Sequence, residues 1–168
     1  MRIVMNLRRE IKGADIRNIL LCVAVSVVLC VVSSLFWLWG KEYYLLLMPV
    51  FALPMWLFGL LRILIYAVAG ASTGLILGNC DTCRRKSKIT GIIISVLLLL
   101  VCCLRTALIF GSGTLLFGFI LSLAALVLNF FAIRYYVRIS LISGFGMLAF
   151  LLWNIYVAIL SFCILILN

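Results

Sequence analysis

Long apolar runs separated by short connections divide this chain into five stretches. Ile19–Gly40 carries no charge and is long enough to cross a hydrocarbon core of about 30 Å. Pro54–Asn79 is interrupted only by Arg62, and Ile89–Phe110 only by Arg105. Thr114–Ile133 and Leu141–Leu167 complete the set. The first run is too long for the apolar part of a secretory leader and lacks a small-x-small exit, so it is read as a span. The expected architecture is an all-α integral membrane protein, a five-transmembrane-helix bundle over residues 19–168. Residues 1–18 precede it as a basic segment.

Composition agrees and charge adds orientation. Of 168 residues, 68% are hydrophobic, 11% are charged and none is histidine, against about 25% charged residues in a soluble domain. Arg2, Arg8, Arg9, Lys12 and Arg17 precede the first span. Arg84, Arg85, Lys86 and Lys88 lie between the second and third, and Arg134 and Arg138 between the fourth and fifth. The alternate connections hold only Lys41, and then no basic residue in Gly111–Gly113. Basic connections stay in the cytoplasm, so the amino terminus is expected inside and the carboxyl terminus outside. The net charge of +10 is thereby explained as a topology signal, with anionic lipid headgroups as a further partner and no need for a nucleic acid. The bilayer itself is the expected partner.

Other features carry less chemistry. Of the seven cysteines, Cys80 and Cys83 form a C-x2-C in a connection, without the second pair or histidine that a four-ligand zinc site needs, so no metal site is expected. Cys22, Cys30, Cys102, Cys103 and Cys163 lie within spans and serve as small apolar residues. Gly70, Gly74 and Gly78 recur every fourth residue on one face of the second span. Such a face lets another backbone approach closely, either in a homodimer seam or within the bundle. Asn129 and Asn154 are candidates for hydrogen bonds between helices.

The segment Tyr43–Gly70 is the most distinctive. Its pattern Y-x2-L-x2-P-x4-P-x-W-x-F-G-x6-Y-x3-G sets Tyr43, Pro49, Pro54, Trp56, Phe58, Gly59, Tyr66 and Gly70 at fixed intervals. Pro49 and Pro54 remove backbone donors and disfavour helix before them, so the chain bends and a new helix starts at Pro54. The stretch resembles the loop and second helix of the TspO/MBR family, the translocator or tryptophan-rich sensory proteins. Phe110-Gly111 continues the likeness in the third span, as do Arg138, Ser140, Phe150–Trp153 and Asn168 toward the end. Departures stand beside the matches. Cys102 and Ser161 replace asparagines, Ala149 replaces a proline, and Arg62 and Arg105 replace tryptophans.

That resemblance implies a bundle whose pocket opens toward the first connection, in a membrane protein of the bacterial plasma membrane. It also implies binding of a flat hydrophobic ligand such as a porphyrin, haem or another tetrapyrrole, with no cofactor required. The pocket would be lined by Tyr43, Phe51, Trp56, Phe58, Arg62, Tyr66, Arg105 and Trp153, under a lid containing Glu42, Pro49 and Pro54. Aromatic walls suit a flat ring. Trp37 and Trp39, by contrast, read as interfacial belt residues.

Arg62 and Arg105 set this chain apart. Each lies roughly 9 to 12 Å from the end of its span at about 1.5 Å per residue, and no acidic residue falls inside any span. They would either pair with a ligand carboxylate, or snorkel to the headgroups or to Glu42. The first reading makes the chain a binding or sensory protein. A second, porphyrin degradation, is implied for some bacterial members by pocket tryptophans that match Arg62 and Trp153 here. A guanidinium cannot supply the electron an indole can, which weighs against an enzyme. A transporter of small molecules or lipid would lack the intramembrane carboxylate usual in proton-coupled exchange.

Overall fold

The computed structural model describes residues 16–39, 49, 52–78, 85–111 and 114–167. Among them are five α-helices: α1 (Ile16–Trp39), α2 (Met55–Gly78), α3 (Arg85–Gly111), α4 (Leu115–Val137) and α5 (Leu141–Leu167). All five are long and apolar enough to cross a membrane. Three outrun the spans expected from apolarity, since α1 begins at Ile16, α3 begins at Arg85 and α4 continues through Arg134 to Val137. Hydropathy marks where lipid ends, whereas the backbone goes on making its i→i−4 bonds into the headgroup region. Glu42, Tyr43, Phe51, Cys80 and Cys83 lie outside the described residues.

The helices pack as a closed ring in the order α1, α2, α5, α4, α3 and back to α1. Burial runs opposite to that of a soluble domain. Leu20, Val28, Leu100, Phe117 and Leu152 face outward, while Ser33, Ser95, Ser122 and Asn129 are buried. Lipid tails are as apolar as leucine, so outward leucines cost nothing, whereas a hydroxyl in lipid needs an internal partner. Many serines find one in their own helix. Ser72, Ser122 and Ser161 donate to the carbonyls of Val68, Gly118 and Val157 at 2.8, 2.9 and 2.8 Å. Between helices, the Tyr136 hydroxyl joins Ser95 at 2.6 Å and Thr73 at 2.9 Å, tying α4 to α3 and α2. Asn129 is fully buried and its side-chain amide has no hydrogen-bond partner among the described residues.

Local chemistry sets the helix ends. The Pro54 carbonyl accepts the first bond of α2 from the Phe58 N–H at 2.9 Å, and the Pro49 carbonyl accepts from Ala52 at 2.9 Å in the turn before it. Ser140 caps α5, its carbonyl accepting from Gly144 at 3.1 Å and its hydroxyl from Ser143 at 3.4 Å. Lys88 donates to the Leu77 carbonyl at 2.7 Å, satisfying one orphan acceptor at the end of α2.

The glycine face is used inside the bundle. A Cβ on Gly70 would stand 2.7 Å from the Cys22 carbonyl oxygen and 2.8 Å from the Val23 Cα, and one on Gly74 would stand 2.5 Å from the Ile19 Cα. These atoms belong to α1, so Gly70 and Gly74 set the α1–α2 approach and are not free to form a seam with a second copy. Gly59 has open space, with nothing within 4 Å of its Cβ direction. Gly74→Ala is therefore expected to destabilise the bundle by about 1–3 kcal/mol by forcing two backbones apart, and Gly59→Ala to be neutral or slightly stabilising. Denaturation of both variants in one detergent checks this. Equal stability would show that α1 and α2 do not meet at Gly74.

Candidate functional site

Four helices converge where Arg62 and Arg105 enter the bundle. Both arginines are only 4% exposed, so both turn inward and neither snorkels to the surface. Arg62, on α2, donates from one terminal nitrogen to the Ser33 hydroxyl of α1 at 2.6 Å and to the Thr106 hydroxyl of α3 at 2.9 Å. Its guanidinium also lies 5.7 Å from the centre of the Tyr66 ring, within reach of a cation–π attraction. Arg105, on α3, donates to the Asn154 side-chain oxygen of α5 at 3.3 Å.

The acceptors are aimed by their own helices. Ser33 spends its proton on the Cys30 carbonyl at 2.8 Å, and Thr106 spends its proton on the Cys102 carbonyl at 3.0 Å. Each hydroxyl is thereby left with lone pairs for Arg62. Asn154 donates its amide nitrogen to the Phe150 carbonyl at 3.1 Å, which presents its oxygen to Arg105 and to the Cys102 thiol at 3.5 Å. Every one of these arginine partners is neutral. The chain has four acidic residues, Glu10, Asp15, Glu42 and Asp81, and all four lie outside the described residues.

Both arginines border one cavity of about 30 Å³. Phe58, Thr106 and Trp153 line it with them, and Ile109, Val157, Leu160, Ser161 and Ile164 close the rest. Phe58, Trp153 and Tyr156 form an aromatic cluster beside it, with centroids 5.0 Å apart for Phe58–Trp153 and 5.6 Å for Trp153–Tyr156. The Tyr156 hydroxyl accepts from the Leu53 N–H at 3.2 Å, anchoring the end of the first connection on α5. At roughly 10–15 Å³ per water the cavity has room for about two or three waters, far below the roughly 300–1,000 Å³ of sites for drug-sized molecules. A larger space of about 190 Å³ lies between α1, α2 and α3, bordered by apolar residues with Ser26, Thr73 and Ser95. It contains neither arginine.

Of the residues expected at the pocket, Phe58, Arg62, Arg105 and Trp153 are brought together. Tyr66 is buried behind them, its ring 5.4 Å from Phe150 in an edge contact and its hydroxyl without a hydrogen-bond partner. Trp56 is not with them. It is 69% exposed, because α2 starts at Met55 and places it on the face away from Arg62. Sequence reasoning missed Ser33, Thr106 and Tyr156, and named Asn154 without its partner. The available signal was depth, since Thr106 adjoins Arg105 and Asn154 adjoins Trp153 in the chain.

Removing an acceptor from a buried cation leaves its donor unpaired. Thr106→Val keeps the shape but deletes an Arg62 acceptor, and is expected to lower stability by about 1.5–3 kcal/mol. Ser72→Ala, whose hydroxyl bonds only its own helix, is expected to change stability by less than about 0.5 kcal/mol. Thermal or denaturant unfolding in detergent compares them. Matching losses would remove Arg62 as the reason that Thr106 matters.

A comparison with curated proteins returned no match. A model of the TspO/MBR family, however, matches residues 19–167, nearly the whole chain. The five apolar helices and this match make the chain an integral membrane protein, and it belongs to the TspO/MBR family.

Proposed function

We propose that the chain is a membrane-embedded binding and sensory protein whose ligand joins a flat apolar body to an anionic group, as porphyrins and related tetrapyrroles do. The observation that carries this reading is that two buried arginines share a cavity wall with Phe58 and Trp153. The rings supply stacking surfaces, worth about 0.5–1.5 kcal/mol per contact beyond burial. The guanidiniums supply a fork that fits a carboxylate. The present cavity is too small for such a body, so binding requires an opened conformation. The parts to move are the Phe58–Trp153–Tyr156 cluster and the Leu53 anchor on Tyr156. A ligand that binds only the open form draws the population toward it, and that change is the signal a sensory protein would transmit.

Degradation of the ligand is a weaker reading. Trp153 sits on the cavity, but Arg62 occupies the other position associated with indole chemistry, and it cannot give up an electron. We place the end bearing Arg17, Lys88, Arg134 and Arg138 in the cytoplasm of a bacterial plasma membrane. The cavity then faces the outer half of the bilayer.

Two measurements test this. Arg62→Trp and Arg105→Trp are expected to lower affinity for a dicarboxylate porphyrin by roughly ten- to more than a hundredfold, for loss of about 1.5–3 kcal/mol. A neutral aromatic ligand of similar size should be spared. The decisive quantity is the ratio of the two affinities in each protein, and an unchanged ratio would remove the arginines from anion recognition. For orientation, reporters fused after Lys88 and after Asn168 should report cytoplasmic and external placement. An external signal at Lys88 would reverse the orientation.

A further inference from the structure

We propose that Arg62 and Arg105 together hold a small monovalent inorganic anion, of the halide class, in the cavity they share. Three observations lead there. Both guanidiniums are buried to 4% exposure and border the same 30 Å³ space. Their hydrogen bonds among the described residues go only to neutral oxygens, two from Arg62 and one from Arg105, although each guanidinium carries five donors. No residue of the five described helices is acidic, so these helices offer the pair no counter-charge.

Arginine cannot shed its charge in a protein, and two like charges on one small cavity repel strongly where water is scarce. An anion between them turns that repulsion into two attractions. The size and lining of the cavity select the class. A space that holds a few waters admits a chloride or bromide ion, and an apolar wall disfavours the strongly hydrated sulfate and phosphate. The Thr106 and Ser161 protons are already given to the Cys102 and Val157 carbonyls, so the guanidiniums are the donors on this wall, and Phe58, Trp153 and Ile109 keep it otherwise apolar, which favours a weakly hydrated halide. The site is the one proposed above for a ligand's anionic group, but halide binding does not depend on what the organic ligand is. The halide is its resident competitor, and it would have to leave when a carboxylate enters.

The experiment uses the full-length protein in detergent without organic ligand, exchanging sodium gluconate for sodium chloride or bromide at constant ionic strength. A saturable rise in Tm is expected, of about 3–6 °C at roughly ten times the Kd, with no rise in sulfate. Arg105→Gln, which keeps a donor for Asn154 but not the charge, is expected to abolish the rise. The same Tm in chloride and gluconate, or an equal rise in Arg105→Gln, would overturn the site. Should the variant fail to fold, crystals of the unaltered protein grown in bromide provide the second measurement. An anomalous peak between Arg62 and Arg105 supports the site, and featureless density there overturns it. Titration with a dicarboxylate porphyrin in the two salts separates this inference from the ligand reading. Weaker porphyrin binding in chloride supports both. Halide stabilisation without any porphyrin binding supports the anion site and removes the tetrapyrrole. Porphyrin binding with no halide effect on Tm or affinity overturns the anion site alone.

Discussion

Two guanidinium groups are buried among apolar helices without a carboxylate, and the arrangement of α1, α2, α3 and α5 around them follows from that demand. An arginine at the centre of a span is costly by about 2.5–3.5 kcal/mol. A hydrogen bond from a charged donor returns about 1.5–3 kcal/mol. Arg62 makes two such bonds and Arg105 one, so neutral oxygens are of the right magnitude to hold both groups inside, with little to spare. This works because Ser33, Thr106 and Asn154 are already oriented by bonds to their own helices. The acceptors are fixed before the arginines arrive, and little ordering entropy remains to oppose the contact.

The same polar cluster limits what the pocket can be at rest. Arg62 bridges α1 and α3 while Arg105 reaches α5, so side chains draw the helices together and the enclosed space shrinks to about 30 Å³. On the proposed reading a large flat ligand has to open the bundle, at the place where the contacts are weakest. The contacts between Gly70, Gly74 and α1 are backbone-close and cannot part without separating two helices. The aromatic cluster is different. Phe58, Trp153 and Tyr156 touch ring to ring, and the Leu53 N–H bonds the Tyr156 hydroxyl beside them, so these are side-chain contacts that rotation can change. Helix contact is therefore backbone-close at Gly70 and Gly74 and ring-to-ring at Phe58, Trp153 and Tyr156.

Much of this was legible in the chain. Five apolar runs announced five helices, and two prolines placed the start of α2, because in lipid the backbone has no option but the helix and proline acts locally. The depth of Arg62 and Arg105 could also be read, since it follows from 1.5 Å per residue. Their direction could not. Whether an arginine snorkels or turns inward depends on which acceptors neighbouring helices bring to it, and helix rotation within the ring is settled by packing among all five. Trp56 illustrates the same limit. It shares a helix with Phe58 and Arg62, yet two residues along a helix is a turn to another face, and it points away. The glycine face was visible as a close-packing surface, but that α1 fills it depends on the ring order.

Replacing indoles by guanidiniums changes the kind of chemistry a pocket can perform. A tryptophan wall offers stacking and a donatable electron, and it discriminates among ligands mainly by shape. An arginine offers neither radical nor flat apolar bulk, but it imposes charge selection that no rearrangement of the cavity can remove, since the group stays cationic at any accessible pH. In water that selection would be weak. Here Arg62 and Arg105 lie where few polar groups compete for them, so an anionic group gains from both at once. Trp153 remains on the same wall, so on the proposed reading the site keeps one surface for a ring and adds two points for a charge.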